Sequence, residues 1–356
     1  RNHDLIIQSR VIDYHVDQFL SLAHEERWGF EHLDKNLSMI KIDDFPLFYA
    51  WMLRGGSKNY QKMEEELRKE VPHAFDEIMS TLKETDSISS KELNIKSLSA
   101  HQYKGPLIKV TKVGAAILDC LWNRGVAVVH HRENYRRYYT LTEKSIPEKY
   151  LDVDHLSNDQ ELYQKWMLRR VQQIGLASSL WHIRGASSYT KKLVEQGDLV
   201  EVQIDKNTAK YMTTEEILST NEQYQDQIFD DRVRFIAPLD PLIWDRKLTQ
   251  AIFQFDYVWE VYKPPKKRIR GYYCLPVLFQ DTFLGQIDPK FDRKSGTLII
   301  YKGYWEEGAS ISEEIRERII QALELFCQFL GAESLIFKGN DLLWKSICEE
   351  TKLMQS

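Results

Sequence analysis

Eleven consecutive residues, Lys263-Pro264-Pro265-Lys266-Lys267-Arg268-Ile269-Arg270-Gly271-Tyr272-Tyr273, hold five cations and no acid. Strand-like sequence on either side predicts a basic hairpin tip. Lys266, Lys267, Arg268 and Arg270 could neutralise phosphates, the prolines stiffen the approach, and Tyr272 offers a face for stacking on an opened base. The structural alternative is a solvated turn whose charges protect a sheet edge. A second segment, His130-His131-Arg132-Glu133-Asn134-Tyr135-Arg136-Arg137-Tyr138-Tyr139, interleaves cations with aromatics. Arg136 and Arg137 are its candidate contacts to a nucleic-acid backbone. The paired histidines suggest no metal, because adjacent strand residues point to opposite faces and no third ligand is near in sequence. Lys191 and Lys192, in Ser187-Ser188-Tyr189-Thr190-Lys191-Lys192, fall near a helix start and could touch phosphates, although hydroxyls at such a start are equally explained as local caps.

Acid, base and amide groups also gather in Glu31-His32-Leu33-Asp34-Lys35-Asn36. Taken alone this is a weak signal, since carboxylates beside lysine are usually surface ion pairs. Nothing in the chain matches a nucleophile elbow, phosphate loop, zinc motif or dinucleotide fingerprint.

The elements that must position these residues come from 356 residues, 43% hydrophobic and 12% aromatic, enough for two to four compact units. A net charge of −5 and a pI near 6.1 argue against a uniformly positive nucleic-acid coat, though not against local patches. Four scattered cysteines without ligand spacing fit reduced thiols and a cytoplasmic location. No apolar run reaches the roughly 20 residues of a membrane span, and no signal-peptide pattern opens the chain. The chain begins at Arg1 without a methionine, which leads us to expect a natural segment upstream.

Apolar spacing from residue 1 to about Leu82 reads as helical, broken at Gly55-Gly56-Ser57 and again near Val71-Pro72. A cap-rich turn at 86–93 then precedes a short helix. Val113 to Arg124 reads as an amphipathic helix ended by Gly125, followed by a hairpin from Val126 to Leu141. This order, helix, helix, hairpin, is a winged helix. The same order recurs after Leu156, with helices to Gly175, near Ser178–Trp181 and at Ser187–Gln196, then strands at Leu199–Ile204 and Tyr211–Met212. From Arg232 short strands dominate, at Phe253–Tyr262, Tyr272–Phe279, Thr282–Ile287 and Thr297–Tyr301, with a packing helix at Ser312–Leu330. The expected fold class is α+β: tandem winged-helix units followed by a small C-terminal antiparallel β-barrel or sheet. The expected division is 1–86 (helical or winged-helix), 87–150 and 151–231 (winged helices), and 232–356 (barrel-like).

The block Pro238-Leu239-Asp240-Pro241-Leu242-Ile243-Trp244-Asp245-Arg246-Lys247 is followed by Phe255-Asp256-Tyr257, Glu260-x-Tyr262-x-Pro264, Lys267-Arg268 and Gly271-Tyr272-Tyr273-x-Leu275-Pro276. It continues with Gly285-x-Ile287-Asp288-x-Lys290-x-Asp292-Arg293. This ordered series resembles the YcaQ and AlkZ family of bacterial winged-helix DNA glycosylases, closer to the YcaQ branch. Weaker likeness extends over nearly the whole chain.

The resemblance implies an enzyme that removes bulky N7-alkylated purines from double-stranded DNA and unhooks interstrand crosslinks, as a monomer and without a cofactor. It also implies a water-positioning glutamine followed, one residue on, by aspartate or glutamine. The stretch Arg1-Asn2-His3-x-Leu5-x-x-x-Ser9-Arg10-x-x-x-Tyr14 resembles the family segment just after that pair, so the catalytic motif is expected upstream of Arg1. Candidate cleft residues are His32, Asp34, Lys35 and Asn36, where Lys35 and Asn36 stand at positions that often carry histidine and glutamate in the family. An N7-alkylated purine is cationic and leaves readily, so placing water and stabilising an oxocarbenium-like sugar could suffice. The alternative is a noncatalytic winged-helix transcriptional regulator, since that fold most often serves transcription factors; a protein-interaction scaffold is a third reading.

Overall fold

The computed structural model describes residues 2–34, 36–93, 102–103, 111–156, 158–177, 186–204, 210–223 and 230–353. These form a mixed α+β chain that divides into two compact units, Asp17–Trp166 and the combination of Arg1–Val16 with Met167–Ser356.

In the unit Asp17–Trp166, the helices Lys58–Glu70 and Ala74–Glu84 present Met63, Leu67, Phe75, Ile78 and Leu82 to the helix Val113–Asn123, whose Ile117, Leu121 and Trp122 complete one core. Gly55-Gly56 ends the preceding helix as expected. Gly56 has a φ of +62°, and a Cβ there would lie 2.5 Å from the Asn123 side-chain oxygen, so the chain reverses against that helix only through glycine. Val71-Pro72 separates two helices. A three-stranded antiparallel sheet runs in the order Ile88–Ser89, Arg136–Leu141, Ala127–Glu133. The hairpin turn falls at Asn134-Tyr135, with Asn134 at φ +57°. The short helix expected after Leu93 lies outside the described residues.

One expectation for this unit is corrected. The first 82 residues are not wholly helical, because Gly29–Leu33 and Leu37–Lys41 pair as an antiparallel hairpin. Its first strand is buried from Gly29 through His32, including the polar Glu31 and His32, so no apolar alternation marks it.

The other unit carries the helix Ala186–Gln196 and an antiparallel hairpin of Val200–Gln203 with Lys210–Thr213, where Val202 faces Tyr211. The expected segment Ser178–Trp181 lies outside the described residues. A five-stranded sheet follows, in the order Val233–Phe235, Leu275–Phe279, Thr282–Asp292, Thr297–Trp305, Ser334–Phe337. Its first four strands are antiparallel and the last pair is parallel. A parallel pair needs a crossover, and the helix Glu313–Leu330 supplies it. Ser312 caps that helix by accepting from the Ile315 N–H, and Gly331 ends it at φ +67°. Its Ile319, Leu323 and Phe326 pack with Val277, Ile287 and Ile300 of the sheet and with Trp344 and Ile347 of the last helix, Leu342–Glu350.

The strand expected at Phe253–Tyr262 is absent. Asp245 caps a helix at Arg246–Phe253, and the next residues pair with no strand. The alternation that suggested a strand is real, with Phe255 and Tyr257 buried and Asp256 exposed, yet those rings fill an aromatic cluster around Phe283 instead of joining a ladder. Lys263–Arg270 is therefore not a hairpin tip. It lies in a loop with one short 3-10 turn at Pro265–Lys267, and strand structure begins only at Leu275.

Candidate nucleic-acid interface

The basic loop is held down by acids. Glu260, 3% exposed, accepts from the backbone N–H groups of Arg270 (2.8 Å) and Gly271 (3.2 Å) and from the Lys263 ammonium (2.7 Å). Burial alone would raise the Glu260 carboxyl, but these hydrogen bonds outweigh it and hold the group below its ordinary range. Asp288 performs the same task for the N–H groups of Tyr272 (3.2 Å) and Tyr273 (3.0 Å). The close approach requires glycine, because a Cβ on Gly271 would lie 2.2 Å from the Asp288 carboxylate. The Tyr304 hydroxyl donates to Ile269 O at 2.8 Å, and Arg268 Nε donates to Lys263 O at 2.9 Å.

With its backbone fastened in this way, the loop turns Tyr262 (86% exposed), Lys266, Lys267, Ile269 (72%) and Tyr272 to solvent. The Arg268 guanidinium lies 4.7 Å over the Tyr272 ring, and that of Arg270 lies 5.2 Å over Tyr304 and 3.8 Å from Glu306. Cations fixed over rings lose little entropy on meeting an anion, the arrangement a phosphate contact would call for.

The other cationic segment is arranged in the opposite sense. Glu31, 6% exposed, accepts from Arg132 Nε (2.6 Å) and a terminal guanidinium nitrogen (2.5 Å), with His24 Nε2 at 3.2 Å and Arg137 at 3.8 Å. Burial pushes the Glu31 carboxyl up, but His24 and the two arginines outweigh it and hold the group at about 2. Arg137 also donates to Asp119 (3.2 Å) and stacks 4.8 Å over the Trp122 ring, while the Tyr139 hydroxyl donates to Asp119 at 2.9 Å. Arg137 thus faces inward, and Arg136, beside the hairpin turn, is half-exposed.

His130 and His131 depart from the opposite-face expectation. The ladder shifts register between Val129 and His131, and this irregularity brings the two Nδ1 atoms within 2.8 Å. Among the described residues no group of three or more histidines, cysteines or acids could hold a metal ion.

His32, 1% exposed, packs 4.6 Å from the Trp122 ring with Phe48 and Trp51 edge-on, and burial lowers its pKa to about 4. It is neutral at physiological pH. Asp34 and Asn36 form the hairpin turn, where the Asp34 N–H donates to Asn36 O at 2.8 Å; Lys35 lies outside the described residues. Lys191 pairs with Glu195 at 3.6 Å on the exposed face of its helix, and Lys192 is also exposed.

Sequence reading missed Asp119 and Arg132 as partners of this network, since Glu31 and Arg132 stand 101 positions apart with no local signal. It also missed a clamp between the first ten residues and the segment around Asp240. Asp240, fully buried, receives both terminal nitrogens of Arg10 at 2.7 Å and caps the turn at Leu242. Arg234 Nε donates to Ser9 O at 2.9 Å, and the Tyr273 hydroxyl donates to Asn2 at 2.9 Å. The motif residues at 9–10 and 240 are therefore partners in space.

No helix among the described residues is long and apolar enough to cross a membrane. Among solved structures, DNA glycosylase AlkZ of Streptomyces sahachiroi is similar in fold, with a TM-score of 0.51 at 12% identity over 90% of this chain and 84% of that one. The family model described as DNA glycosylase AlkZ-like matches residues 1–329, and the chain belongs to that family.

Proposed function

We propose that this protein is a DNA glycosylase that hydrolyses the N-glycosidic bond of N7-alkylated purines in double-stranded DNA and unhooks interstrand crosslinks. It acts in the bacterial cytoplasm, as a monomer, without a cofactor, and stands closer to the YcaQ branch. The observation that carries the reading is the fastened basic loop, Glu260 to Tyr273, in a chain of a DNA glycosylase family. On this reading the helix Val113–Asn123 with its hairpin, and the helix Ala186–Gln196 with its hairpin, are winged helices. The five-stranded sheet is a barrel-like platform for the loop, and the four-part division at 86, 150 and 231 follows.

The chemistry asks little of the protein beyond placement. A cationic purine is a good leaving group, so a positioned water and a carboxylate near the sugar lower the barrier by stabilising positive charge that grows in the transition state. On this reading the Arg10–Asp240 clamp holds the N-terminal helix Asn2–Gln8 and the turn after it against the sheet that bears the loop. On this reading His32 lies in the aromatic core and Asp34 and Asn36 in a turn.

The test is release of 7-methylguanine from methylated duplex DNA, and unhooking of a nitrogen-mustard crosslink, by protein with its native N-terminus and by the chain from Arg1. Base release by the longer form supports the reading. Tight duplex binding by both forms with no release by either would move the protein to the noncatalytic regulators.

A further inference from the structure

A groove of about 290 Å³ opens beside the basic loop, lined by Tyr301, Lys302, Gly303, Tyr304, Lys338 and Asn340 among others. It lies where the strands Thr297–Trp305 and Ser334–Phe337 run parallel, Ile300 beside Phe337, with the Lys338 N–H donating to Ile300 O at 2.8 Å. Lys302 and Lys338 are exposed, and neither forms an ion pair among the described residues. Each lies over a ring, Lys338 5.5 Å from the Tyr301 centroid and Lys302 6.0 Å from that of Tyr304.

The acid that lines the groove, Asp341, is already committed, accepting from the Trp344 N–H (2.8 Å) and the Trp305 indole (3.2 Å). Lys302 Nζ and the Tyr304 hydroxyl both reach Ile269 O of the loop, at 3.4 and 2.8 Å, so groove and loop share one surface. A row of cations seated on tyrosine faces, with the nearby carboxylate consumed by a helix cap, suits successive phosphates better than stacked bases, because the ring faces are occupied.

We propose that Lys302 and Lys338 form a second phosphate-binding track, continuous with the basic loop, that takes the backbone of duplex DNA beyond the segment the loop touches. This deepens the proposed function and rests on its DNA-binding part, not on its chemistry. Arginine at both positions would preserve the charge; glutamine would remove it.

The experiment is duplex affinity by fluorescence anisotropy between 50 and 200 mM salt, for wild type, Lys302→Gln/Lys338→Gln and Lys302→Arg/Lys338→Arg, with thermal melting to establish that each variant is folded. The glutamine pair is expected to reduce the slope of log affinity against log salt by about 2 and to weaken binding roughly tenfold or more at 0.1 M salt. The arginine pair is expected to keep the wild-type slope. An unchanged slope in the folded glutamine pair, or an equal loss in the arginine pair, would overturn the track. Failure of the glycosylase reading looks different: the slope falls as expected while no base is released by any form.

Discussion

Two cation-rich segments that read alike in sequence, His130–Tyr139 and Lys263–Tyr273, are built with opposite polarity. In the first, the arginines turn inward: Arg132 and Arg137 neutralise Glu31 and Asp119 beneath the hairpin. In the second, the acids turn inward: Glu260 and Asp288 are occupied by backbone N–H groups, and Lys266, Lys267 and Tyr272 are left to solvent. The counts differ, three arginines with Glu133 against five cations with no acid, but a count does not say which cations folding consumes. The sign of charge consumed by folding decides which segment presents a field to a partner.

The contrast predicts its largest effect at Glu31. Glu31→Ala would leave two largely buried guanidinium groups without their shared carboxylate, and removing one partner of a buried pair typically costs about 3–5 kcal/mol. Calorimetry should show the unit Asp17–Trp166 melting far earlier. A melting point near that of the wild type would break the comparison.

Acid should reveal the same unit. The His32 ring is neutral in the fold with its pKa lowered to about 4, so its contribution is fully present above about pH 6.5 and is lost as pH falls toward 4, a loss of roughly 3 kcal/mol at about 1.4 kcal/mol per pH unit. Glu31, held at about 2, contributes above its ordinary range near 4.5 and loses that contribution as pH falls toward 2. Urea titrations of His32→Phe should therefore show a flatter decline between pH 6.5 and 4 and an unaltered decline below it. A parallel curve for wild type and variant would remove His32 from the account.

At the clamp, Asp240→Asn removes the charge that receives Arg10, and a charge-assisted bond of this kind is worth about 2 kcal/mol. If the clamp positions the N-terminal segment for the reaction, the variant should lower kcat more than it alters KM. Equal changes in both would make Asp240 a stabilising residue alone.

Glu260→Gln gives the smallest loss of stability, about 1 kcal/mol, because an amide oxygen can still accept from the Arg270 and Gly271 N–H groups. Its effect on binding sharpens the comparison. Deleting a negative charge near phosphates should strengthen DNA binding if net charge alone matters, whereas loosening the loop should weaken it. We expect weaker binding, by a fewfold in anisotropy titrations.

Much of this arrangement was legible in the residues. The helix Val113–Asn123, the hairpin after Gly125 and the capped helix Glu313–Leu330 stand where apolar spacing and terminal residues set them, although Val113–Asn123 is buried on nearly every side and not on one face alone. The strand Gly29–Leu33 was hidden because its buried positions include the polar Glu31 and His32, and the Arg132 that neutralises Glu31 lies 101 residues away. Phe253–Tyr262 misled in the opposite way, since burial alternates there without a ladder. At the site, the loop's cations could be read directly, but the acids that fasten it could not, as Asp288 sits 16 residues from the Tyr272 N–H it receives. The inward turn of Arg137 follows from Asp119 and Glu31, which its own segment does not contain.

The most direct test of the account follows single-turnover release of 7-methylguanine from methylated duplex DNA, by the native protein and by Lys266→Gln/Lys267→Gln/Arg268→Gln, across protein and salt concentration. The account predicts release by both, with the same limiting rate, a higher half-saturating concentration for the triple variant, and a salt slope smaller by about 3. No release by the native protein, or identical salt dependence in the two, would contradict it.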